Sequence, residues 1–109
     1  TAFLLDIGGR TYTLDADHPR LRIGRAEENH VRVAGKSTSR LHAELSFRQG
    51  RFHLHDHSFN GTLVVGADGQ QRLLHNEEGL LEGSGRIGFG SAPDSEPESA
   101  ATFRCIDGA

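Results

Sequence analysis

Three short segments of the chain bring together side chains that could bind an anion or perform chemistry. The first ends in Gly24 and Arg25, the second reads SRLHA from residue 39, and the third spans residues 56–62. Together they offer two guanidinium groups, a serine hydroxyl and an asparagine amide. These groups supply positive charge, planar forks for two oxygens and neutral donors, which is the donor set that a phosphate needs.

Hydrolysis is an alternative chemistry for the same segments. Ser39, His42 and Asp56 have the residue types of a nucleophile, a base and an orienting carboxylate. An esterase-type serine, however, lies in a G-x-S-x-G turn between a strand and a helix, whereas Ser39 is flanked by Thr38 and Arg40. An arginine beside a serine serves an anionic ligand as well as an oxyanion. The sequence therefore favours binding, and we assign no catalytic residue.

A row of histidines raises the possibility of a metal site. His53, His55 and His57 recur at a spacing of two and could share one strand face, where imidazoles can bind zinc or copper. A jelly-roll metal enzyme would also need a nearby carboxylate and a histidine from another strand, and His75 is the only later histidine. The row is better explained as a solvent-facing polar face, so we expect neither a metal nor a cofactor. The inward residues would be Phe52, Leu54 and Asp56.

A glycine-rich segment, GSGRIG at residues 83–88, matches the G-x-G-x-x-G pattern of dinucleotide-binding sites. Such a site needs a strand before the glycines and a helix after them. The residues that follow here read FGSAP, which is incompatible with a helix start of that kind. The segment is predicted to form a turn followed by a strand.

The net charge of −3 is distributed unevenly. Residues 20–51 contain eight of the twelve basic residues and three acids, a net charge of +5, and the rest of the chain has a net charge of −8. A basic segment on an acidic protein suggests a local anionic ligand rather than a polyanion on a broad surface. Seven aromatic residues and no recognisable binding motif argue further against nucleic acid.

The length of the chain indicates one domain, residues 1–109. Because the chain contains no methionine, we expect this domain to be part of a longer protein. No apolar run approaches the ~18–20 residues of a membrane span, and no signal-peptide pattern opens the chain. Cys105 is the only cysteine, which excludes an internal disulfide and is compatible with a reducing interior. We therefore expect a cytoplasmic domain without membrane contact.

Short strands must position the candidate residues. Apolar runs or alternating patterns occur at residues 3–7, 10–14, 21–23, 31–33, 41–47, 52–55, 62–65, 71–74, 80–81, 86–89 and 102–106. Turn residues separate them at roughly the 8–12-residue spacing of a sandwich or barrel. No stretch has a 3.6-residue apolar period, so an all-β fold is predicted. Residues 91–99, with two prolines and three acids, are predicted to form a mobile loop without a role of its own.

Four segments resemble, in order and spacing, the pattern of the forkhead-associated (FHA) domain: IGR, STSRLHAEL, DHSFNGT and LLEGSGRIGFG. The resemblance covers residues from about 7 to 106. It implies a β-sandwich of about eleven strands in two sheets, which binds phosphothreonine-containing protein segments through loops at one end. It further implies a non-enzymatic module for phosphorylation-dependent protein–protein interaction in signalling.

The resemblance also assigns a role to each matching residue. Arg25 and Ser39 would bind the phosphate, and Arg40 would supply a second cationic or backbone contact. Asn60 would hold the main chain of the ligand. The supporting set that braces these loops would be Gly24, His42, Asp56, Ser58, Gly61 and Thr62.

Two features of this sequence modify that pattern. Phe59 precedes Asn60 where the family often has threonine or serine, so an apolar contact with the peptide could replace a polar one. Lys36 lies in the loop before Ser39 and would favour an acidic residue three positions after the phosphothreonine. A phospho-independent interaction or structural domain of the same fold is the alternative that Phe59 supports.

Overall fold

Eleven short strands form in the computed structural model, which describes residues 1–107. Their bounds are β1 (Ala2–Ile7), β2 (Arg10–Leu14), β3 (Arg20–Gly24), β4 (Val31–Arg32), β5 (Ala43–Arg48), β6 (Arg51–Asp56), β7 (Thr62–Gly66), β8 (Gln71–Leu74), β9 (Glu78–Leu81), β10 (Ser84–Phe89) and β11 (Ala100–Ile106). A single-turn 3-10 helix, Pro97–Ser99, is the one helical element among these residues. The predicted all-β fold is confirmed.

The strands form two sheets. One sheet has six strands in the order β2-β1-β11-β10-β7-β8, and the other has five in the order β4-β3-β5-β6-β9. All neighbouring pairs are antiparallel except β3 and β4, which are parallel. In the six-stranded sheet, Ala2 pairs with Ile106, so the first and last strands lie side by side. The predicted two-sheet sandwich is confirmed.

Apolar side chains that alternate along the strands fill the space between the sheets. Phe3 of β1 is fully buried and lies 5.5 Å from the ring of Phe52 on β6, in the opposite sheet. It also stacks at 5.3 Å on Phe103 of β11, its neighbour in the same sheet. Removing these rings from water stabilises the sandwich by about 25 cal/mol for each Å² of apolar surface that becomes buried.

One strand begins later than the alternating pattern predicts. The pattern at residues 41–47 starts at Leu41, but β5 starts at Ala43 and Leu41 is exposed. The carbonyls of Ser39 and Arg40 accept hydrogen bonds from the backbone amides of Arg25 and Ala26, at 3.0 and 3.1 Å. These bonds hold the chain against the connection after β3, so it joins the sheet only afterwards.

The acidic segment at residues 91–99 packs onto the rest of the domain in the structure. Pro93 and Ser99 are buried, and the 3-10 helix follows directly before β11. Glu96 contacts the β4–β5 connection through its carboxylate. The mobility of this segment and its lack of a role both stay predictions, and its contacts reach the candidate site.

No helix in the described part of the chain is long and apolar enough to cross a membrane.

Candidate functional site

Three connections meet at one end of the sandwich, and we call them the site loops: residues 25–30 after β3, 33–42 after β4, and 57–61 after β6. Hydrogen bonds join them directly. The backbone amide of Phe59 donates to Ser39 Oγ at 3.0 Å, and Asn60 Nδ2 donates to the carbonyl of Ser37 at 2.9 Å. The backbone amide of Arg25 in the first loop donates to the carbonyl of Ser39 at 3.0 Å, so all three segments that the sequence analysis selected are brought together.

Arg25 is oriented by the neighbouring loop. Its Nε donates to the carbonyl of Thr38 at 2.8 Å, while the side chain as a whole is exposed. Within residues 1–107, neither terminal guanidinium nitrogen has a hydrogen-bond or ion-pair partner. One donor of the fork thus fixes the group, and the remaining donors are left without a partner within residues 1–107, so two oxygens of an anion could accept from them.

The hydroxyl of Ser39 already accepts one hydrogen bond, while its capacity to donate one remains available. Its oxygen accepts from the amide of Phe59, and its own O–H has no acceptor among the described residues. A hydroxyl has one donor and two lone pairs, so the proton of Ser39 remains available for a ligand oxygen. Ser39 also donates its backbone N–H to His42 Nδ1 at 3.0 Å, which fixes the position of the residue.

His42 is completely buried beneath the loop that contains Ser39. Its Nδ1 must accept, because the partner is the N–H of Ser39; Nε2 therefore bears the proton and donates to the carbonyl of Gly61 at 3.0 Å. The ring meets Phe89 edge-on, with centroids 5.7 Å apart. Burial lowers the pKa of His42 below its usual value, against the opposing effects of the Gly61 carbonyl and the charge of Asp56. The neutral ring links two site loops.

Asp56 stabilises the β6–β7 connection through hydrogen bonds to its buried carboxylate. Its buried carboxylate accepts from the amide and hydroxyl of Ser58 at 3.1 and 2.6 Å, the hydroxyl of Thr62 at 2.7 Å, and the amide of Asn76 at 2.9 Å. Burial by itself raises the pKa of Asp56, but the bonds from Ser58, Asn76 and Thr62 outweigh it, so the pKa lies below its usual value. Ser58 Oγ in turn accepts from Gly61 N at 2.8 Å.

The pKa shifts of His42 and Asp56 predict that the domain is destabilised by acid. An unfolded histidine binds its proton near pH 6.5, whereas folded His42 resists it to lower pH. The unfolded state therefore binds more protons in that window, and the free energy of unfolding should fall as the pH drops below 6.5. Asp56, whose folded pKa is depressed, adds a second loss as the pH falls below 3.8 toward its folded pKa.

Urea unfolding at about pH 7.5, 6 and 5 measures the histidine contribution. The His42→Gln variant, which cannot titrate at this position, should have a shallower pH dependence between those values. An identical pH dependence in the wild type and this variant would contradict the assignment to His42.

Two glycines permit the close approach of the loops. A Cβ on Gly24 would lie 2.1 Å from the carbonyl oxygen of Arg40, which no side chain can tolerate. Gly61 has a φ of 89° and would also place a Cβ 3.0 Å from Leu73 Cδ1. Thr62, directly after Gly61, is fully buried and binds Asp56.

Arg40 and Lys36 present cationic side chains beside this arrangement. Both are exposed, and neither charged group has a partner in the part of the chain that the structure describes. The carbonyl of Arg40 is held by Ala26 N at 3.1 Å and by Asn29 Nδ2 at 2.8 Å. The backbone beneath Arg40 is thus fixed while its guanidinium group is available.

An apolar rim borders the polar donors. Three of the four large apolar side chains that are exposed in residues 1–107 lie at or beside the site loops: Leu41 at 52%, Phe59 at 85% and Leu73 at 56%. The amide of Phe59 is bound to Ser39, and Leu73 lies against Gly61. The side chain of Phe59 therefore stands in water next to the anion donors, where an apolar ligand group could cover it.

The geometry does not favour the hydrolase alternative. In a triad the histidine base accepts from the serine hydroxyl. Here both ring nitrogens of His42 bind backbone groups, the N–H of Ser39 and the carbonyl of Gly61. His42 Nε2 lies 3.7 Å from Asp56 Oδ1, too far for the orienting hydrogen bond of a triad.

His53 and His55 lie on the outer face of β6, whereas His57 follows the strand in the third site loop; the predicted inward set, Phe52, Leu54 and Asp56, is buried. His53 and His55 approach Glu78 on β9 at 3.3 and 3.9 Å, and that carboxylate is bonded to Arg48 at 2.7 Å. Within residues 1–107 no group of three histidine, cysteine, aspartate or glutamate side chains is arranged to hold a metal ion. The glycine-rich segment at residues 83–88 forms a turn at Gly83 and strand β10, as predicted.

Sequence reasoning missed two buried residues that support the site. Thr38 is 2% exposed, and its hydroxyl donates to the carbonyl of Phe89 at 2.6 Å. Asn29 joins the β3–β4 loop to Arg40 through its amide. Thr38 is one of three successive hydroxyl residues, so its type gave no sign that it alone would be buried.

Fold and site together define a β-sandwich module that holds a cluster of anion donors on loops at one end. A family model described as "FHA domain" matches residues 21–90, and the chain belongs to the FHA domain family. FHA domains are binding modules.

Solved structures extend the comparison. The FHA-1 domain of Rv1747 from Mycobacterium tuberculosis is 28% identical over 94% of this chain and 94% of that chain, with a TM-score of 0.72. An FHA domain analysed for phosphothreonine-dependent interactions is 25% identical over 98% and 99%, with a TM-score of 0.73. The FhaA FHA domain, solved with the intracellular domain of Rv3910, is 28% identical over 94% and 98%, with a TM-score of 0.67. No curated protein sequence matches the chain.

Proposed function

We propose that this domain binds phosphothreonine-containing protein segments and so mediates phosphorylation-dependent protein–protein interaction. Arg25, Ser39 and Arg40 bind the phosphate, and Asn60 holds the main chain of the ligand. Phe59 covers an apolar part of the peptide, and Lys36 attracts an acidic residue of the ligand. The domain itself catalyses no reaction and is expected to work in the cytoplasm.

The observation that supports this function most strongly is that hydrogen bonds already hold Arg25 and Ser39 in place, while each keeps a donor that an anion could use. Each has one polar group bound to a neighbouring loop, at 2.8 Å for Arg25 Nε and 3.0 Å for Ser39 Oγ. The remaining donors have no partner within residues 1–107 and are available to a phosphate, which has ~−1.5 to −2 charge and three acceptor oxygens. Charge-assisted bonds of this kind are the strong ones in ligand recognition.

Asn60 supports the peptide part of the proposal. Its Nδ2 donates to Ser37, and its Oδ1 has no partner among residues 1–107. An amide that is fixed at one atom and exposed at the others can pair with the main chain of an extended ligand. The relatives agree with a protein ligand, because one was analysed for phosphothreonine-dependent interactions and another was solved with a protein domain.

A fluorescence-polarisation screen tests the function directly. The domain is titrated against a library of phosphothreonine peptides, each with its unphosphorylated and phosphoserine counterparts. We expect binding to the phosphothreonine form and weaker binding to phosphoserine. Equal affinity for the phosphorylated and unphosphorylated forms would reject the proposal in favour of a phospho-independent interaction domain. That alternative draws its support from the exposed ring of Phe59.

A further inference from the structure

The connection between β10 and β11, residues 90–99, lies against the beginning of the β4–β5 site loop. Glu96 uses its two carboxylate oxygens separately at this contact. Oε1 accepts the backbone N–H of Lys36, and Oε2 accepts the hydroxyl of Ser91 at 3.1 Å. A half-buried acid sixty positions away in the chain thus binds the main chain of a site loop.

The two connections pack without space between them. A Cβ on Gly35 would lie 2.5 Å from Ser99 Cβ and 2.8 Å from Glu96 Oε1. A Cβ on Gly90 would lie 2.1 Å from the carbonyl oxygen of Ser37. Real side chains do not tolerate such distances, so the contact depends on glycine at both positions.

The backbone of Glu96 is itself fixed. Its carbonyl accepts from the amide and the hydroxyl of Ser99 at 3.0 and 3.1 Å, and Ser99 is fully buried. The carboxylate therefore projects from an anchored residue. On the other side of the contact, the β4–β5 loop is anchored near its end by Ser39 and Arg40, through His42 and Asn29. Glu96 provides the corresponding anchor at its beginning.

We propose that Glu96 is a positioning residue for ligand recognition. Its carboxylate fixes the main chain at Lys36 and thereby the loop that presents Lys36, Ser39 and Arg40 to the ligand. This inference rests on the proposed function. It makes residues 90–99 a fourth element of the binding end, although they contribute no donor to the phosphate.

Whether the affinity for the ligand falls or rises when Glu96 is replaced distinguishes a positioning role from a simple effect of its charge. A carboxylate near a phosphate-binding site repels the ligand, so removing the charge alone should strengthen binding. Removing an anchor should weaken it, because binding must then also order the loop. A loss of affinity in a variant that has lost a negative charge therefore points to positioning.

The test compares Glu96→Ala, Glu96→Gln and a matched control, Glu98→Ala. Glu98 is an exposed acid two positions away, and its side chain has no partner in residues 1–107. Affinity for a phosphothreonine peptide selected by the screen is measured together with hydrogen exchange of the Lys36 amide in the unliganded domain. We expect Glu96→Ala to bind about threefold to tenfold more weakly, in the range of one net hydrogen bond, and to exchange faster at Lys36.

Two further results are expected if the carboxylate acts as an anchor. Glu96→Gln keeps an oxygen acceptor and should recover most of the affinity and of the Lys36 protection. Glu98→Ala should match the wild type in both measurements. The Gln variant also keeps the test decisive if Glu96→Ala fails to fold.

Unchanged or tighter binding by Glu96→Ala, or unchanged exchange at Lys36, would overturn the positioning role. Failure of Glu96→Gln to recover either property would also overturn it. If the wild type binds no phosphothreonine peptide, the proposed function fails and the role in recognition fails with it. The exchange measurement is independent of ligand, so that result is distinguishable from a failure of the Glu96 anchor alone.

Discussion

Arg25→Ala is expected to weaken binding of a phosphothreonine peptide by about tenfold to a hundredfold. Each charge-assisted hydrogen bond contributes ~1.5–3 kcal/mol, and about 1.4 kcal/mol corresponds to one factor of ten. The free energy of unfolding should change little, because the side chain is exposed and its one bond is to the carbonyl of Thr38. Isothermal titration calorimetry and thermal melting measure the two quantities.

Arg22→Ala is the matched control for this prediction. Arg22 is an exposed arginine on β3, three positions before Arg25, and its side chain has no partner among residues 1–107. The Arg22→Ala variant removes the same charge from the same basic segment without removing a donor of the candidate site. If the two variants lose equal affinity, long-range charge rather than a direct contact explains the effect. Wild-type affinity in Arg25→Ala would show that the site assignment is wrong.

His42→Ala is expected to destabilise the domain by about 3–5 kcal/mol, since it leaves a cavity and removes the partners of one buried and one partly buried backbone group. Those groups are the amide of Ser39 and the carbonyl of Gly61. For a domain of this size the melting temperature should fall by more than about 10 °C. Any loss of peptide affinity should follow from the disordered loop, so it should be smaller at low temperature, where the variant is folded.

The same substitution at His57 is the matched control for His42→Ala. His57 is exposed, and its backbone amide binds the carbonyl of His42 whatever its side chain is. His57→Ala should therefore change the free energy of unfolding by less than about 0.5 kcal/mol. A melting temperature preserved in His42→Ala would contradict its bracing role, and an equal loss in both variants would mean that the effect is not specific to the buried ring.

The strands, and the meeting of the three candidate segments at one end of the sandwich, could be predicted because they depend on local patterns. Alternation with a period of two is retained wherever a strand buries one face, as in β6, where Phe52, Leu54 and Asp56 are inside. Glycine pairs indicate turns, and Gly8 and Gly9 both have positive φ between β1 and β2.

The bonds that fix the site loops could not be predicted, because they join residues that are far apart in the sequence. Thr38 meets Phe89 across 51 positions, and Glu96 meets Lys36 across 60. A loop has no periodicity, so the burial of Thr38 between half-buried neighbours leaves no pattern in the residue types. The role of Glu96 was missed for a related reason, since a segment rich in proline and acids has the composition of a mobile loop.

The pairing of Ala2 with Ile106 determines how the domain can be tethered. Strand β11 starts beside the site loops and runs for seven residues, about 20 Å at 3.3 Å per residue, before it reaches that pair. The start of β1 and the end of β11 therefore lie side by side at the end of the sandwich remote from the site loops. Flexible linkers attached beyond these two strands would start at the end opposite the site loops, and the local concentration of a phosphorylated partner would then depend on linker length.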